Sequence, residues 1–341
     1  MKKDKSVLAE NDQAFRSMTK KIGLAMIFHL IIFNALNVLV GCLDTFLWMF
    51  FIDSAAYVIS EILYMVAYLC GFLLPALILH KMIDRRGSTL PIMKQSMPAT
   101  TPFLVIGTVT INFAAAYFNQ YLISILVPLP DSSMLYSTSV MTEWYEFLFL
   151  FFSVAVVPAF CEEILFRGVI LSNLIPFGRT TAIWGSAILF GLMHGNILQF
   201  FYTSLLGIIL GYVYVRTKSI WICMLIHFVN NGIGVLQESM GSMPDQDLAT
   251  RLNGGLELLV MVLGVISILV LLFLRAKQEK PEENGSFGVI FAPSLTYETH
   301  HVTKKRKLYL FFSPTMIIYF VLAGVSTALT VIYLLLSWVA V

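Results

Sequence analysis

The chain has 341 residues, of which 58% are hydrophobic and 12% charged. Soluble domains run near about 25% charged, so this composition excludes a water-soluble globule and describes a polytopic membrane protein. The net charge of +2 gives no reason to expect a nucleic-acid partner.

Residues 1–21 are polar and hold six Lys and Arg. They read as a cytoplasmic N-terminal tail, because a secretory leader would have a short apolar core close behind a basic head. Nine apolar stretches come after it, at 22–51, 55–79, 103–126, 145–171, 181–194, 197–215, 220–236, 256–274 and 308–338. A crossing needs about 20 apolar residues, and the fifth stretch is short for one. The expected class is therefore all-α, a transmembrane helical bundle of about nine spans. Residues 22–126 form the N-terminal helices and 145–236 a core. Residues 254–341 form the C-terminal helices, with a cytoplasmic loop at 276–307. The basic residues alternate between loops. Of 22 Lys and Arg, 20 fall on one side, Arg251 on the other, and Arg167 inside a span. This asymmetry puts the N-terminus in the cytoplasm and the C-terminus outside. The Lys-rich start and short loops point to a bacterial plasma membrane. The run ending at Lys307 would also meet anionic membrane lipid.

Charge inside hydrocarbon costs at least about 2.5 kcal/mol, so intramembrane polar groups point to function. The fourth stretch holds Glu162, Glu163 and Arg167, the fifth ends at His194, and the seventh holds His227, Asn230 and Asn231. At about 1.5 Å per residue, Glu162 lies about 14 Å from the cytoplasmic end of its span, His194 about 20 Å, His227 about 11 Å and Asn231 about 17 Å. These depths fall in one slab, as expected of groups that line a hydrated cavity. Glu163 and Arg167 are spaced i,i+4 and can pair. Glu162 is turned about 100° from Glu163, which leaves it available for chemistry. His227 and Asn231 share a face, as do Phe190 and His194. A carboxylate facing imidazoles suits general-base activation of water, and His227 and Asn231 suit stabilisation of an oxyanion. Phe190 reads as a packing residue, and Glu61 as an extra polar residue of the cavity. His29 has no partner at helical spacing. Gly191 with Gly195, and Gly207 with Gly211, read as close helix contacts. Cys42, Cys70, Cys161 and Cys223 read as small hydrophobes without disulfides.

These residues carry a resemblance. Glu162-Glu163-Ile164-Leu165-Phe166-Arg167 matches EExxxR, Phe190 to His194 matches FxxxH, and His227 to Asn231 matches HxxxN. Three such motifs in order on separate apolar segments resemble the CAAX-protease and bacteriocin-processing family of intramembrane proteases. The resemblance covers about 145–236. It implies a helical bundle with a conical cavity in which Glu162 activates water and His194 positions it. His227 and Asn231 would donate to the oxyanion, and Glu163 and Arg167 would hold the helix in place. The implied substrates are peptide or protein chains, lipidated or not: peptide precursors of bacteriocin processing or self-immunity, or CAAX-type C-terminal tails. The family is described both as metal-dependent and as glutamate-dependent. No HExxH occurs, which favours chemistry without a cofactor. A site for zinc or another divalent metal would draw on Glu162, His194 and His227. Two other functions use the same residues: a transporter or proton relay, and a non-catalytic immunity scaffold.

Overall fold

A computed structural model describes residues 2–83, 97–126, 143–277, 302 and 307–339. Most of the basic stretches expected at 81–94 and 276–307 lies outside the described residues. Among the described residues all regular structure is helical. In chain order the helices are α1 (Lys2–Phe50), α2 (Asp53–Met82), α3 (Thr101–Leu126), α4 (Trp144–Phe177), α5 (Arg179–Met193), α6 (Ile197–Thr217), α7 (Ile220–Gly241), α8 (Gln246–Lys277), α9 (Tyr309–Phe312) and α10 (Pro314–Val339). Seven are long and apolar enough to cross a membrane: those containing Val7–Phe50, Asp53–Met82, Thr101–Leu122, Trp144–Phe177, Gln199–Thr217, Ile220–Gly241 and Gln246–Ala276. α5 has 15 residues, too few for a full crossing, and α10 has 26. The architecture is an all-α polytopic bundle.

The polar N-terminal stretch is helical and forms the start of α1. Residues 2–22 contain no Gly or Pro, and five of them are Lys, which favours helix. Phe15 within it is fully buried and lies 5.1 Å from the ring of Phe177.

The chain divides into two compact units. The first comprises residues 1–93, 161–215 and 296–341, and the second residues 94–160 and 216–295. In the first, α1 packs along α2, and the second half of α4 packs against α2 and α5. Lys21 Nζ donates to Met82 O at 2.6 Å, placing a cation on the open carbonyls at the C-terminal end of α2. A proline controls the middle of this pair. Pro75 sits inside α2 and has no N–H for the carbonyl one turn back, that of Gly71. In hydrocarbon, water is not there to replace it. His29 on α1 meets the need: its Nδ1 lies 2.8 Å from Gly71 O. A carbonyl only accepts, so Nδ1 carries the proton. α5 and α6 approach so closely that a Cβ on Gly207 would stand 2.9 Å from Ala187 Cα, which explains the glycine.

In the second unit, α3 packs on α8 and α7, and the first half of α4 packs on α7. Thr110 Oγ1 donates to Val260 O at 2.9 Å across the α3–α8 contact. Phe151 of α4 meets Phe228 of α7 edge to face, with centroids 5.6 Å apart.

α4 is irregular. It contains π-helical turns at Phe151–Val156 and Ile164–Leu171 and ends in a 3₁₀ turn at Ile175–Phe177. π turns are rare and recur at functional sites.

The proline argument sets a test. His29→Ala should destabilise the protein by about 1–3 kcal/mol, the cost of an unmet buried acceptor. Adding Pro75→Ala, which restores an N–H one turn from Gly71, should recover much of the loss. Thermal melts in detergent would read both, and equal melting points for the single and double variants would contradict the account.

Candidate active site

The first two motifs lie in the first unit. Glu163 and Arg167 are wholly buried, and Arg167 Nη1 donates to Glu163 Oε1 at 2.8 Å, as the i,i+4 spacing predicts. A second guanidinium nitrogen, Nη2, reaches Gly207 O on α6 at 3.3 Å. The guanidinium carbon also sits 4.5 Å from the ring centroid of Phe190. The phenyl face is electron-rich and the cation is desolvated, so this contact stabilises the charge. Phe190 is therefore more than packing: it is the platform on which the arginine of one motif rests. Its ring also meets Phe166 edge to face at 5.2 Å and His194 at 5.3 Å.

His194 sits at the C-terminal end of α5, and the chain turns there because Gly195 adopts φ +60°, the left-handed conformation glycine accepts readily. The backbone N–H of His194 turns to Gly191 O at 3.3 Å, and its ring takes up Phe190 O, with Nδ1 at 2.8 Å. Nδ1 is therefore the protonated nitrogen. The other nitrogen, Nε2, carries the lone pair in the neutral ring. An imidazole fixed in this way can accept a hydrogen bond from water.

Glu162 is buried, with 3% of its surface exposed. Its Oε1 accepts a hydrogen bond from the phenol of Tyr68 on α2. Tyr68 is not singled out by the sequence, because a lone tyrosine in an apolar helix carries no spacing signal. Two carboxylates adjacent in sequence thus have different surroundings, one matched by a cation and one approached by a neutral donor.

The third motif lies in the second unit, on α7. His227 is buried, with 3% exposed, and Asn231 is half-buried. Asn231 Nδ2 donates to Val154 O on α4 at 2.9 Å. Val154 lies in the π turn just before Pro158, where the wide turn and the missing proline N–H interrupt the regular backbone ladder. The opposite end of the Asn231 amide is also held: Asn230 Nδ2 donates to Asn231 Oδ1 at 3.1 Å, and Asn112 Nδ2 on α3 donates to Asn230 Oδ1 at 2.8 Å. An amide nitrogen carries two hydrogens, and the Val154 contact uses one. Glu61, expected near these groups, lies on α2 within the first unit.

Residues 144–233 match the family model described as type II CAAX prenyl endopeptidase, Rce1-like. This segment is Rce1-like. It contains all three motifs, and the similarity covers 90 of the 341 residues. No curated protein and no solved structure matches the chain. α1, α2, α3, α8 and α10 lie outside the Rce1-like segment.

A metal was the alternative raised by the motifs. Among the described residues, no three His, Cys, Asp or Glu side chains form a group that could hold a metal ion.

The ion pair invites a direct test. Arg167→Met should cost about 3–5 kcal/mol, because it strands the Glu163 carboxylate in a buried site. The double variant Glu163→Gln with Arg167→Met should be the more stable of the two. Denaturation in detergent would read the difference, and additive losses would contradict a mutual pairing.

Proposed function

We propose that this chain is an intramembrane endopeptidase in which Glu162 activates the attacking water. The reading is supported above all by the contrast between the two buried carboxylates. Glu163 is matched by Arg167, whereas Glu162 accepts a phenol hydrogen bond. In the mechanism, Glu162 takes a proton from water as the oxygen attacks the carbonyl carbon of the scissile peptide. His194 accepts a hydrogen bond from that water through Nε2, which fixes its lone pair toward the carbon. The C–O bond forms and the carbonyl π bond opens to an oxyanion. N–H donors take up this charge, the role that the motif resemblance implies for His227 and Asn231. Collapse expels the amine, and the proton held by Glu162 passes to the leaving nitrogen. Water has then been added across the peptide bond and Glu162 is again a carboxylate.

The substrates under this reading are peptide precursors or membrane-associated C-terminal tails, lipidated or not, presented near the cytoplasmic face. Short loops and a Lys-rich start favour precursor processing or self-immunity over CAAX processing. The alternation of basic loops supports an N-terminus in the cytoplasm and a C-terminus outside.

The test is cleavage of a membrane-anchored peptide library by reconstituted protein. Glu162→Gln should lower the rate by about 100-fold or more, the scale of general-base catalysis, and leave the melting point nearly unchanged. His194→Ala should do the same. A chelator should leave wild-type cleavage intact. Cleavage that survives Glu162→Gln would overturn the mechanism. Failure to cleave any peptide, together with a proton-coupled flux lost in Glu162→Gln, would favour a transporter.

A further inference from the structure

We infer that Tyr68, on a helix outside the Rce1-like segment, is a positioning residue for Glu162. The inference rests on the reading of Glu162 as the base.

The α1–α2 pair is built around this tyrosine. Its phenol donates to Glu162 Oε1. The ring lies stacked on Phe72, with centroids 4.7 Å apart, and meets Phe33 edge to face at 5.6 Å. Phe33 and Phe72 both contact the His29 ring, at 5.6 and 4.4 Å. His29 is in turn fixed to Gly71 O at 2.8 Å. Gly71 is needed there, since a Cβ on it would stand 2.8 Å from Phe33 Cδ2. From Pro75 through Gly71, His29 and the two phenylalanines, each contact leaves the Tyr68 ring fewer positions.

Glu162 has three rotatable side-chain bonds and sits on a helix bounded by a π turn. A general base acts only when its lone pair points at the proton it removes. The phenol binds Oε1, fixes the plane of the carboxylate and leaves Oε2 to be aimed by the same rotation. A phenol suits the task, because it donates one directed hydrogen bond and adds no charge of its own. The α1–α2 pair thus supplies a part of the site that the matched segment lacks.

Tyr68→Phe keeps the ring and removes the donor. In reconstituted full-length protein, kcat per folded molecule should fall about tenfold to a hundredfold, with KM within about twofold, because the lost contact acts on the reacting geometry and not on substrate binding. The infrared carboxylate band of Glu162, assigned by its loss in Glu162→Gln, should shift in Tyr68→Phe. Unchanged kcat and an unshifted band would overturn the inference. If Tyr68→Phe does not fold, 3-fluorotyrosine at position 68, a stronger donor, should change kcat by about threefold or more, and an unchanged kcat would overturn the inference equally. Glu162→Gln separates the two levels. If it retains activity, the reading of Glu162 as base fails. If it is inactive while Tyr68→Phe is normal, only the role of Tyr68 fails.

Discussion

A buried cation in an apolar slab must be matched on every side, and Arg167 is the cation around which the first unit is arranged. Its charge is met by Glu163 at 2.8 Å, by Gly207 O at 3.3 Å and by the face of Phe190 at 4.5 Å. These contacts come from α4, α6 and α5. Removing any one leaves the charge undercompensated, where desolvation costs several kcal/mol. The motif residues that do no chemistry therefore have a physical reason for their types. Glu163 is an anion because Arg167 is a cation, and Phe190 is aromatic because the cation has an open face.

A second constraint runs through both units: backbone groups must find partners without water. Two intramembrane prolines each withhold an N–H, and each time a polar side chain from another helix occupies a carbonyl in the turn before it. His29 serves Gly71 below Pro75, and Asn231 serves Val154 below Pro158. His194 applies the same economy to the end of its own helix by taking Phe190 O. In that case the structural bond also puts the ring proton on Nδ1.

Features that depend on spacing along a single helix are legible in the sequence. The Glu163–Arg167 pair is a consequence of i,i+4 periodicity, and the all-α membrane class is a consequence of apolar run lengths. Contacts between helices are not legible. Tyr68 and Glu162 are separated by 94 residues, and no periodicity links them. The His29 contact is hidden for the same reason, although Pro75 is a visible sign that a carbonyl needs a donor. The polar N-terminal stretch is helical, because polarity is not the absence of structure. Residues 2–22 lack any helix breaker, and one buried phenylalanine, Phe15, is enough to anchor a polar helix. Of the stretches expected to cross, α5 is the one whose 15 residues warn that apolar length and motif content need not coincide.

The wide turns of α4 have a consequence for how this segment can change over time. Each π turn holds one residue more than an α turn of the same rise. The turn at Ile164–Leu171 comes directly after the two glutamates and contains Arg167. Deleting a single residue there would convert the wide turn to a regular α turn and leave the segment beyond it nearly in place. What the extra residue sets is local: the side of the helix on which Phe166 and Arg167 stand as they meet Phe190 and Glu163. The wide turn is thus a place where this segment can lose or gain one residue without moving the helix that follows.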